Sequence, residues 1–372
     1  MSTYAPDQIP AGSYDNSAVS IVVSNKSASD SRRGMFFDDE FVVASPIHFH
    51  DMGNGQFVGV FSERWHTVTA SSSDPNLFDS HVADTSPSWV VFDGTNGHHG
   101  SISGQYGNTP PTNVSYDSRV VVGACSRANS YLYMLQSYTK DEKTFGVVSH
   151  FHINPVTRQV NLMGEESFPN IVVGEEGEEE TVIFDRGITY SSLYLNVAGR
   201  DSMGRIYMAR KNWGSVAKRN DLIEYQSDKG WTQDPSRIVP LKDSDGDLIS
   251  VGPVSFAEYR GRTWVSVVQS GEAGAVSARM YMSRGLWDAW TPKGSPYDLG
   301  VMGESYLGGT VYLQPALRIN AARFDDFSVT GVPVVYAVKR MAEPPEGEPP
   351  PEGEPIVAEG MDIFWELHPV NS

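Results

Sequence analysis

One pattern recurs along the chain and constrains the fold more than any other feature. A strand with alternating apolar residues is followed by a Gly or Asn turn and then by a second such strand. The turns lie at residues 55, 129, 204, 261 and 331, so that successive turns are 74, 75, 57 and 70 residues apart. Hairpin turns need a positive φ, which Gly and Asn adopt at little cost. Five hairpins at a similar spacing predict sheets repeated around an axis, the arrangement of a β-propeller.

Each hairpin begins with a strand that we expect to be the innermost of its sheet. These first strands are predicted at residues 46–51, 119–125, 194–199, 254–259 and 316–321. The alternative is a large β-sandwich whose hairpins are only loosely alike.

The apolar composition favours strands over helices. Val is far commoner than Leu, and aromatic residues make up 11% of the chain. Branched and aromatic side chains suit a pleated, half-buried surface, whereas Leu, Ala and Met are commoner in helices. The 35 Gly and 23 Pro residues add frequent turns. The fold class predicted is therefore all-β, as a five-bladed β-propeller.

The charge excludes several classes of partner. A net charge of −18 argues against nucleic acid, because a nucleic-acid surface needs clustered Lys and Arg. It also argues against anionic membranes, and no apolar stretch is long enough to insert into a membrane. The N-terminal residues lack the pattern of a signal peptide, so we expect synthesis in a cytoplasm. The single cysteine, Cys125, lies in an apolar run and is expected to be a buried, inert thiol.

Composition also divides the chain. Residues 1–34 are rich in Ser, Asp, Asn and Gly and predict an arm with one strand at 18–23; residues 35–342 are expected to form the propeller. Residues 343–360 form an acidic Pro/Glu/Gly-rich linker, expected to be extended. Residues 361–372 predict a final strand. Either this strand or the one at 18–23 would complete a blade and close the ring.

Polar residues on the first strands are candidates for a site at the mouth of the central channel. A mixed polar mouth could bind a sugar, although water alone also accounts for polar channel linings. The predicted ligand-binding residues are His48, His50, Asp51, Arg200, Asp201, Glu258 and Arg318.

Three of these residues carry the carboxylates that glycoside hydrolysis requires. Propeller glycosidases place acid and nucleophile or base on successive innermost strands. Asp51, Asp201 and Glu258 fall on the first, third and fourth hairpins, but the second hairpin offers no carboxylate. Tryptophans could stack on sugar rings, although most are expected in the core. They are Trp65, Trp89, Trp213, Trp231, Trp287 and Trp290.

Two stretches carry residue types that could bind a metal ion. His48 and His50 are two apart on a strand and would face the same side, with His98, His99, His150 and His152 as further ligands. Asp243, Asp245 and Asp247 surround a Gly turn, which suits calcium. The EF-hand pattern fails because Val254 stands where its bidentate Glu should be. We expect an acidic hairpin turn there, with calcium as the alternative, and no other cofactor.

Three segments resemble a known family. They run from Pro46 to Trp65, from Val197 to Trp213 and from Leu222 to Trp231. These segments are similar to minor tail proteins of bacteriophages that infect actinobacteria, and the similarity extends over residues 40–340. It implies a virion component at the tail tip or baseplate, oligomeric and close to the host contact. It carries over no catalytic residues.

The sequence therefore predicts a tail-tip propeller that docks onto other tail proteins through its N-terminal arm. Its channel mouth and loops would contact glycans of the host cell envelope. A purely structural part of the tail is one alternative, and a glycan-cleaving enzyme using Asp51, Asp201 and Glu258 is the other.

Overall fold

The computed structural model describes two kinds of segment. Backbone and side chains are described for residues 121–125, 131–152, 163–175, 177–191, 193–213, 222–256, 262–272, 275–286 and 288–297. Strand positions alone are described for residues 19–27, 30–33, 41–43, 48–53, 56–61, 64–67, 81–84, 88–93, 98–102, 118–120, 126–127, 153, 160–162, 257–259, 298–301, 310–313, 331–341 and 358–369.

The described residues form β-strands and one short 3₁₀ turn at Pro235–Arg237. The first strands in chain order are β1 (Val19–Ser27), β2 (Asp30–Arg33), β3 (Phe41–Val43), β4 (His48–Gly53), β5 (Gln56–Phe61), β6 (Arg64–Thr67), β7 (His81–Asp84), β8 (Ser88–Asp93) and β9 (His98–Ile102). The next are β10 (Ser118–Arg127), β11 (Tyr131–Lys140), β12 (Lys143–Ile153), β13 (Val160–Phe168), β14 (Ile171–Val173), β15 (Glu180–Ser191), β16 (Tyr194–Arg200), β17 (Ile206–Asn212), β18 (Ile223–Ser227) and β19 (Gly230–Thr232). The last are β20 (Lys242–Asp243), β21 (Gly246–Asp247), β22 (Val254–Tyr259), β23 (Arg262–Ser270), β24 (Ala275–Ser283), β25 (Thr291–Val301), β26 (Thr310–Leu313), β27 (Gly331–Met341) and β28 (Ala358–Pro369).

Five sheets of four or more strands occur in the described part of the chain. Their strand orders are β4-β5-β8-β9, β10-β11-β12-β13, β14-β15-β16-β17-β18-β19, β22-β23-β24-β25 and β2-β1-β28-β27-β26. All strand pairs in them are antiparallel, and a three-stranded sheet (β3-β6-β7) and the small hairpin β20-β21 accompany them. The all-β class is confirmed.

The sheets contact one another in chain order. β4 contacts β10, β10 contacts β15, β15 contacts β22 and β22 contacts β26. Each of these five strands is the first of its hairpin. β11 and β12 also contact β15, and β23 also contacts β26.

Contacts between the second and third sheets show that β10 and β15 run in the same direction. Ser137 pairs with Val120 of β10, and its hydroxyl donates a hydrogen bond to Asp185 of β15 at 2.6 Å. Further along β10, a Cβ built on Gly123 would lie 3.2 Å from Ile188 Cγ2. Residues later in β10 therefore lie beside residues later in β15, so the two strands are parallel.

Contacts between the third and fourth sheets show that β15 and β22 also run in the same direction. Ile183 of β15 pairs with Arg200, whose Nη1 donates to the carbonyl oxygen of Ser250 at 3.0 Å, just before β22. Further along β15, Gly187 packs so closely against Val254 that an added Cβ would overlap the Val254 carbonyl oxygen. β10, β15 and β22 thus end on the same side of the molecule. We call this side, where Arg127, Ser191 and Tyr259 end these strands, the turn end.

The core lies between the sheets in two clusters. The first joins the second and third sheets and includes Tyr133, Val148, Phe184 and Leu195, all 1% exposed or less. The second joins the third and fourth sheets and centres on Trp290, which is 0% exposed. β11, β16 and β23 each bury five consecutive residues, so both of their faces are covered and their sequences carry apolar runs rather than a strict alternation.

The free cysteine lies at the edge of the first cluster. Cys125 packs against that cluster, and burial raises the pKa of its thiol. A raised pKa keeps the thiol protonated, and the protonated form is a poor nucleophile. This agrees with the inert role expected from the sequence.

The predicted hairpins are found at β4-β5, β10-β11, β16-β17 and β22-β23, but the first strand of the third hairpin is not the innermost strand of its sheet. Residues 194–199 lie in β16, which follows β14 and β15 in its sheet. In this sheet β15 is the strand whose backbone lies against both neighbouring sheets. The strand predicted at 316–321 lies outside the described residues, and the fifth hairpin has Thr310–Leu313 paired with β27.

The last sheet contains strands from both ends of the chain. β1 pairs with β28 over Val19 to Ser24, with Val19 opposite Trp365, and β28 pairs with β27. Both strands that the sequence offered as alternatives for completing a blade are therefore in one sheet. Residues 342–357, most of the Pro/Glu/Gly segment, lie outside the described residues.

Candidate functional site

The sequence-predicted site residues are distributed over several sheets. His48, His50 and Asp51 lie in β4, opposite Val60, Val58 and Phe57 of β5. Glu258 lies in β22, opposite Thr263. Arg318 lies outside the described residues.

Asp201 lies in the turn between β16 and β17, and its carboxylate is fully engaged. Its Oδ1 accepts from the backbone N–H of Arg205 at 3.0 Å. Its Oδ2 accepts from Arg205 Nε at 2.6 Å and from the Tyr207 hydroxyl at 3.1 Å. The side chain is 0% exposed. This geometry favours a role in holding the turn over contact with a substrate.

Arg200 is the last residue of β16, and its side chain reaches the backbone that leads into the fourth sheet. It donates to the Ser250 carbonyl oxygen, and burial lowers the pKa of its guanidinium. The positive charge of Arg186 lowers this pKa further. Arg200 thus ties the third sheet to the fourth at the side opposite the turn end.

The structure does not bring Asp201 and Glu258 together. Arg200 contacts Ser250, which precedes β22, whereas Glu258 lies near the last residue of that strand. The four residues from Val254 to Glu258 span about 13 Å of strand. The sequence predicted Asp201 and Glu258 together at the mouth of the central channel, because it placed β16 innermost in its sheet. With β15 innermost instead, Asp201 and Glu258 lie toward opposite ends of their sheets.

A carboxylate that the sequence reasoning missed lies on β15. Asp185 is 0% exposed, accepts from Ser137 and lies 3.1 Å from Arg186 Nε. The pairing of β15 with β16 shifts between Ile183 and Gly187, so Asp185 and Arg186 lie in a bulge. Bulges re-aim side chains and often lie next to functional sites. The apolar run from Val182 to Phe184 was the signal that could have identified this strand.

At the turn end, aromatic and imidazole rings gather between the second and third sheets. Tyr133 stacks on His150, with ring centroids 4.8 Å apart, and on Tyr190 at 5.8 Å. Trp213 meets both Tyr133 and His150 edge-on at 5.8 and 6.1 Å. Tyr131 lies 5.6 Å from His150 and 5.3 Å from His152. We call these residues the aromatic–histidine cluster: Tyr131, Tyr133, His150, His152, Tyr190 and Trp213.

Strand register explains why these rings meet. Tyr131 and Tyr133 alternate on β11 and face His152 and His150 on β12. Tyr190 is the next-to-last residue of β15. Since β10 and β15 end at the turn end, the cluster lies on the same side of the molecule as Glu258.

A partly buried ion pair also joins the second and third sheets. The ammonium of Lys211 on β17 donates to Glu166 on β13, and it lies 5.8 Å from the centroid of the Trp213 ring. The Lys211 side chain is 5% exposed and that of Glu166 is 31% exposed. The pair joins the third sheet to the second.

The acidic loop forms a hairpin, as the sequence favoured. β20 and β21 pair Asp243 with Gly246, whose φ is 144°, and Asp243 accepts from the backbone N–H of Asp245 at 3.0 Å. Among the side chains described, no group of three or more His, Cys, Asp or Glu is arranged to hold a metal ion. Calcium binding by Asp243, Asp245 and Asp247 stays a prediction.

The tryptophans whose side chains are described lie either in the core or in a cation–π contact. Trp290 and Trp213 lie in the core clusters, while Arg210 lies 4.2 Å over the ring of Trp231 and 3.9 Å over that of Tyr194. Trp65 and Trp89 lie in β6 and β8. Trp287 lies outside the described residues.

Three buried tyrosines predict a loss of stability in alkali. Burial raises the pKa values of Tyr207, Tyr225 and Tyr281, and the charge of Asp201 adds to the shift at Tyr207. A raised pKa in the folded state gives stability that is complete below the ordinary tyrosine pKa of about 10 and is lost as pH rises through the folded values. Urea unfolding should show a falling midpoint above about pH 10. The variant Tyr207→Phe should lose less stability over this range, and a midpoint that stays constant would contradict the prediction.

None of the described segments contains a helix long and apolar enough to cross a membrane. No protein-family model matches the chain, and no curated protein is significantly similar to it.

Solved structures resemble the chain in fold. A protein of Bacteroides ovatus named as a putative hydrolase has a TM-score of 0.52 and 9% identity, over 88% of this chain and 86% of that one. An α-L-arabinofuranosidase from Podospora anserina has a TM-score of 0.46 and 10% identity, over 94% and 96%. An exo-β-1,3-galactanase from Phanerochaete chrysosporium has a TM-score of 0.42 and 9% identity, over 94% and 64%. At these identities the likeness concerns the fold alone.

Proposed function

We propose that this protein acts on glycan chains at the turn end of a five-bladed β-propeller. The five sheets of four or more strands would be its blades, with β4, β10, β15, β22 and β26 innermost. One observation carries the proposal: successive first strands contact one another, and β10, β15 and β22 end on the same side. This arrangement supports a ring whose hairpin turns form one face, where loops and strand ends create binding sites.

Glycan binding is the form of this function that the described side chains support best. A sugar-binding surface needs aromatic rings beside a small number of polar groups. The aromatic–histidine cluster supplies rings and imidazoles at the turn end. Glu258 would supply a carboxylate from the neighbouring β22.

Glycan cleavage is the second candidate, with Asp51 and Glu258 as its two carboxylates. Both fall in the second half of the first strand of their sheet. Glycoside hydrolysis needs an acid and a nucleophile or base about 5–10 Å apart. Asp201 does not meet this requirement with Glu258, because Val254 to Glu258 alone span about 13 Å of strand. Asp185 precedes Gly187, which packs on Val254, so it too lies far from Glu258.

The setting that we propose is the tip of a phage tail. The resemblance to minor tail proteins supports this, with other tail proteins and host cell-wall glycans as partners and an oligomeric state in the virion. A −18 chain with a single cysteine is compatible with a particle assembled in a cytoplasm.

The test is binding of the purified chain to the soluble polysaccharide fraction of an actinobacterial cell wall, with released reducing sugar assayed in the same tubes. The variants are Glu258→Gln and Asp51→Asn, which remove a charge while keeping shape. The control is Glu272→Gln, because Glu272 is exposed and lies beyond β23, away from the turn end.

Saturable binding without release of sugar would support a binding protein. Release that falls by about 100-fold or more in Glu258→Gln, but not in Glu272→Gln, would establish cleavage. Neither binding nor release by the folded wild-type chain would overturn the proposal and favour a purely structural tail part.

A further inference from the structure

The aromatic–histidine cluster has a layered structure that packing alone does not require. Tyr133 and Trp213 are 1% and 7% exposed and belong to the core. Tyr131, His150, His152 and Tyr190 lie only half-buried around them. The Nε2 of His150 and the hydroxyl of Tyr190 are nevertheless buried, so Tyr131 and His152 are the rings that we take as the outer part of the cluster.

We propose that this cluster is a subsite that stacks one neutral sugar ring of a bound glycan, with Tyr131 and His152 as the rings in contact. The inference rests on the proposed function and names the class of ligand that the turn end would take. The C–H face of a pyranose is apolar, and an aromatic ring offers it a flat surface of matching polarity. Hydroxyls at the sugar's edge need nearby donors and acceptors, which the Tyr131 phenol and the His152 imidazole would provide.

The geometry of Tyr131 and His152 fits this role. Their rings meet edge-on, at 62° between planes and 5.3 Å between centroids, and both lie at the end of the β11–β12 pair. An edge-on pair leaves a ring face uncovered by its partner, whereas Tyr133 and His150 lie nearly parallel at 20° and cover each other. Tyr133 and His150 would thus form the base of the subsite, and Tyr131 and His152 would form its contact surface.

Charge in the cluster favours a neutral ring over an acidic one. Lys211 lies beneath Trp213, but its charge is balanced by Glu166. With Glu166 beside it, Lys211 presents no unbalanced positive charge to an acidic sugar. Its role is to hold Trp213, and with it the base of the subsite, between two sheets.

The test uses the same cell-wall polysaccharide fraction and compares four variants of the full chain. Tyr131→Ala and His152→Ala should each weaken binding about tenfold, the loss of roughly one aromatic contact. Tyr131→Phe keeps the ring and should bind within about twofold of the wild type. Phe145→Ala is the matched control, because Phe145 is a half-buried aromatic at the other end of β12, 6.4 Å from Tyr138.

A second measurement covers the case in which an alanine variant does not fold. The imidazole proton resonances of His152 should shift when the polysaccharide is added to the wild-type chain. Binding by the wild type that is equal in Tyr131→Ala and His152→Ala, or that leaves the His152 signals unmoved, would overturn the subsite while leaving glycan binding in place. Absence of binding by the wild type would overturn both.

Discussion

Replacing Gly146 by alanine should lower the free energy of unfolding by about 3 kcal/mol or more. Gly146 is a buried residue of β12, and a Cβ at this position would overlap the carbonyl oxygen of Phe184 on β15. Backbone cannot move aside as a flexible side chain can, so the second and third sheets would have to separate. That separation would also expose Phe184, which is 0% exposed in the core between them. Equilibrium unfolding in urea measures the loss.

The matched control lies on the next strand. Gly164 is an exposed residue of β13, and a Cβ added there meets nothing within 4 Å. Gly164→Ala should leave stability unchanged or raise it slightly, because alanine lowers the entropy of the unfolded chain. Equal unfolding midpoints for the two variants would show that the sheets do not pack in this way.

The second large effect is expected at Asp201. Asp201→Ala removes the acceptor of three hydrogen bonds and leaves the buried Tyr207 hydroxyl without this partner. Breaking a buried charged pair costs about 3–5 kcal/mol, and Arg205 is partly exposed, so we expect about 2–3 kcal/mol. Thermal or urea unfolding measures the loss.

The same variant separates a structural role from a role in the site. Asp201→Ala should leave glycan binding by the folded fraction unchanged, since Asp201 lies away from the turn end. Asp228→Ala is the control, because Asp228 is an exposed residue in the β18–β19 turn and should change stability by at most about 0.5 kcal/mol. Reduced glycan affinity in a fully folded Asp201→Ala variant would contradict this expectation and indicate that Asp201 takes part in glycan binding.

The sequence predicted hairpins well where Gly or Asn marked the turn and missed a turn that has neither. The β11–β12 turn consists of Asp141 and Glu142, which adopt φ values of 48° and 64° without being Gly. This turn sets the register that brings Tyr131 opposite His152. Alternating Tyr and His residues were visible in the sequence, but only that register makes them neighbours.

The third sheet shows a second limit of predicting the fold from hairpin patterns in the sequence. Its clearest hairpin signal, the turn at Gly204, belongs to β16 and β17, while the strand that meets the neighbouring sheets is β15. A hairpin pattern identifies two adjacent strands but does not say which strand of a sheet they are. As a result Asp201 was taken for a channel residue, and Asp185 was overlooked. Contacts between distant segments, such as β1 with β28, have no local signal at all.

The β1–β28 pairing has a consequence for how the chain is made. The Val19–Ser27 strand leaves the ribosome well before its partner β28, because more than 300 residues separate the two strands in the chain. At about 5–20 residues per second, the early strand waits tens of seconds with one hydrogen-bonding edge uncovered. Its run Val19-Ser20-Ile21-Val22-Val23 is the kind of apolar edge that pairs with other chains when left open. Nascent chains held apart from one another should therefore give a higher yield of native protein than crowded ones.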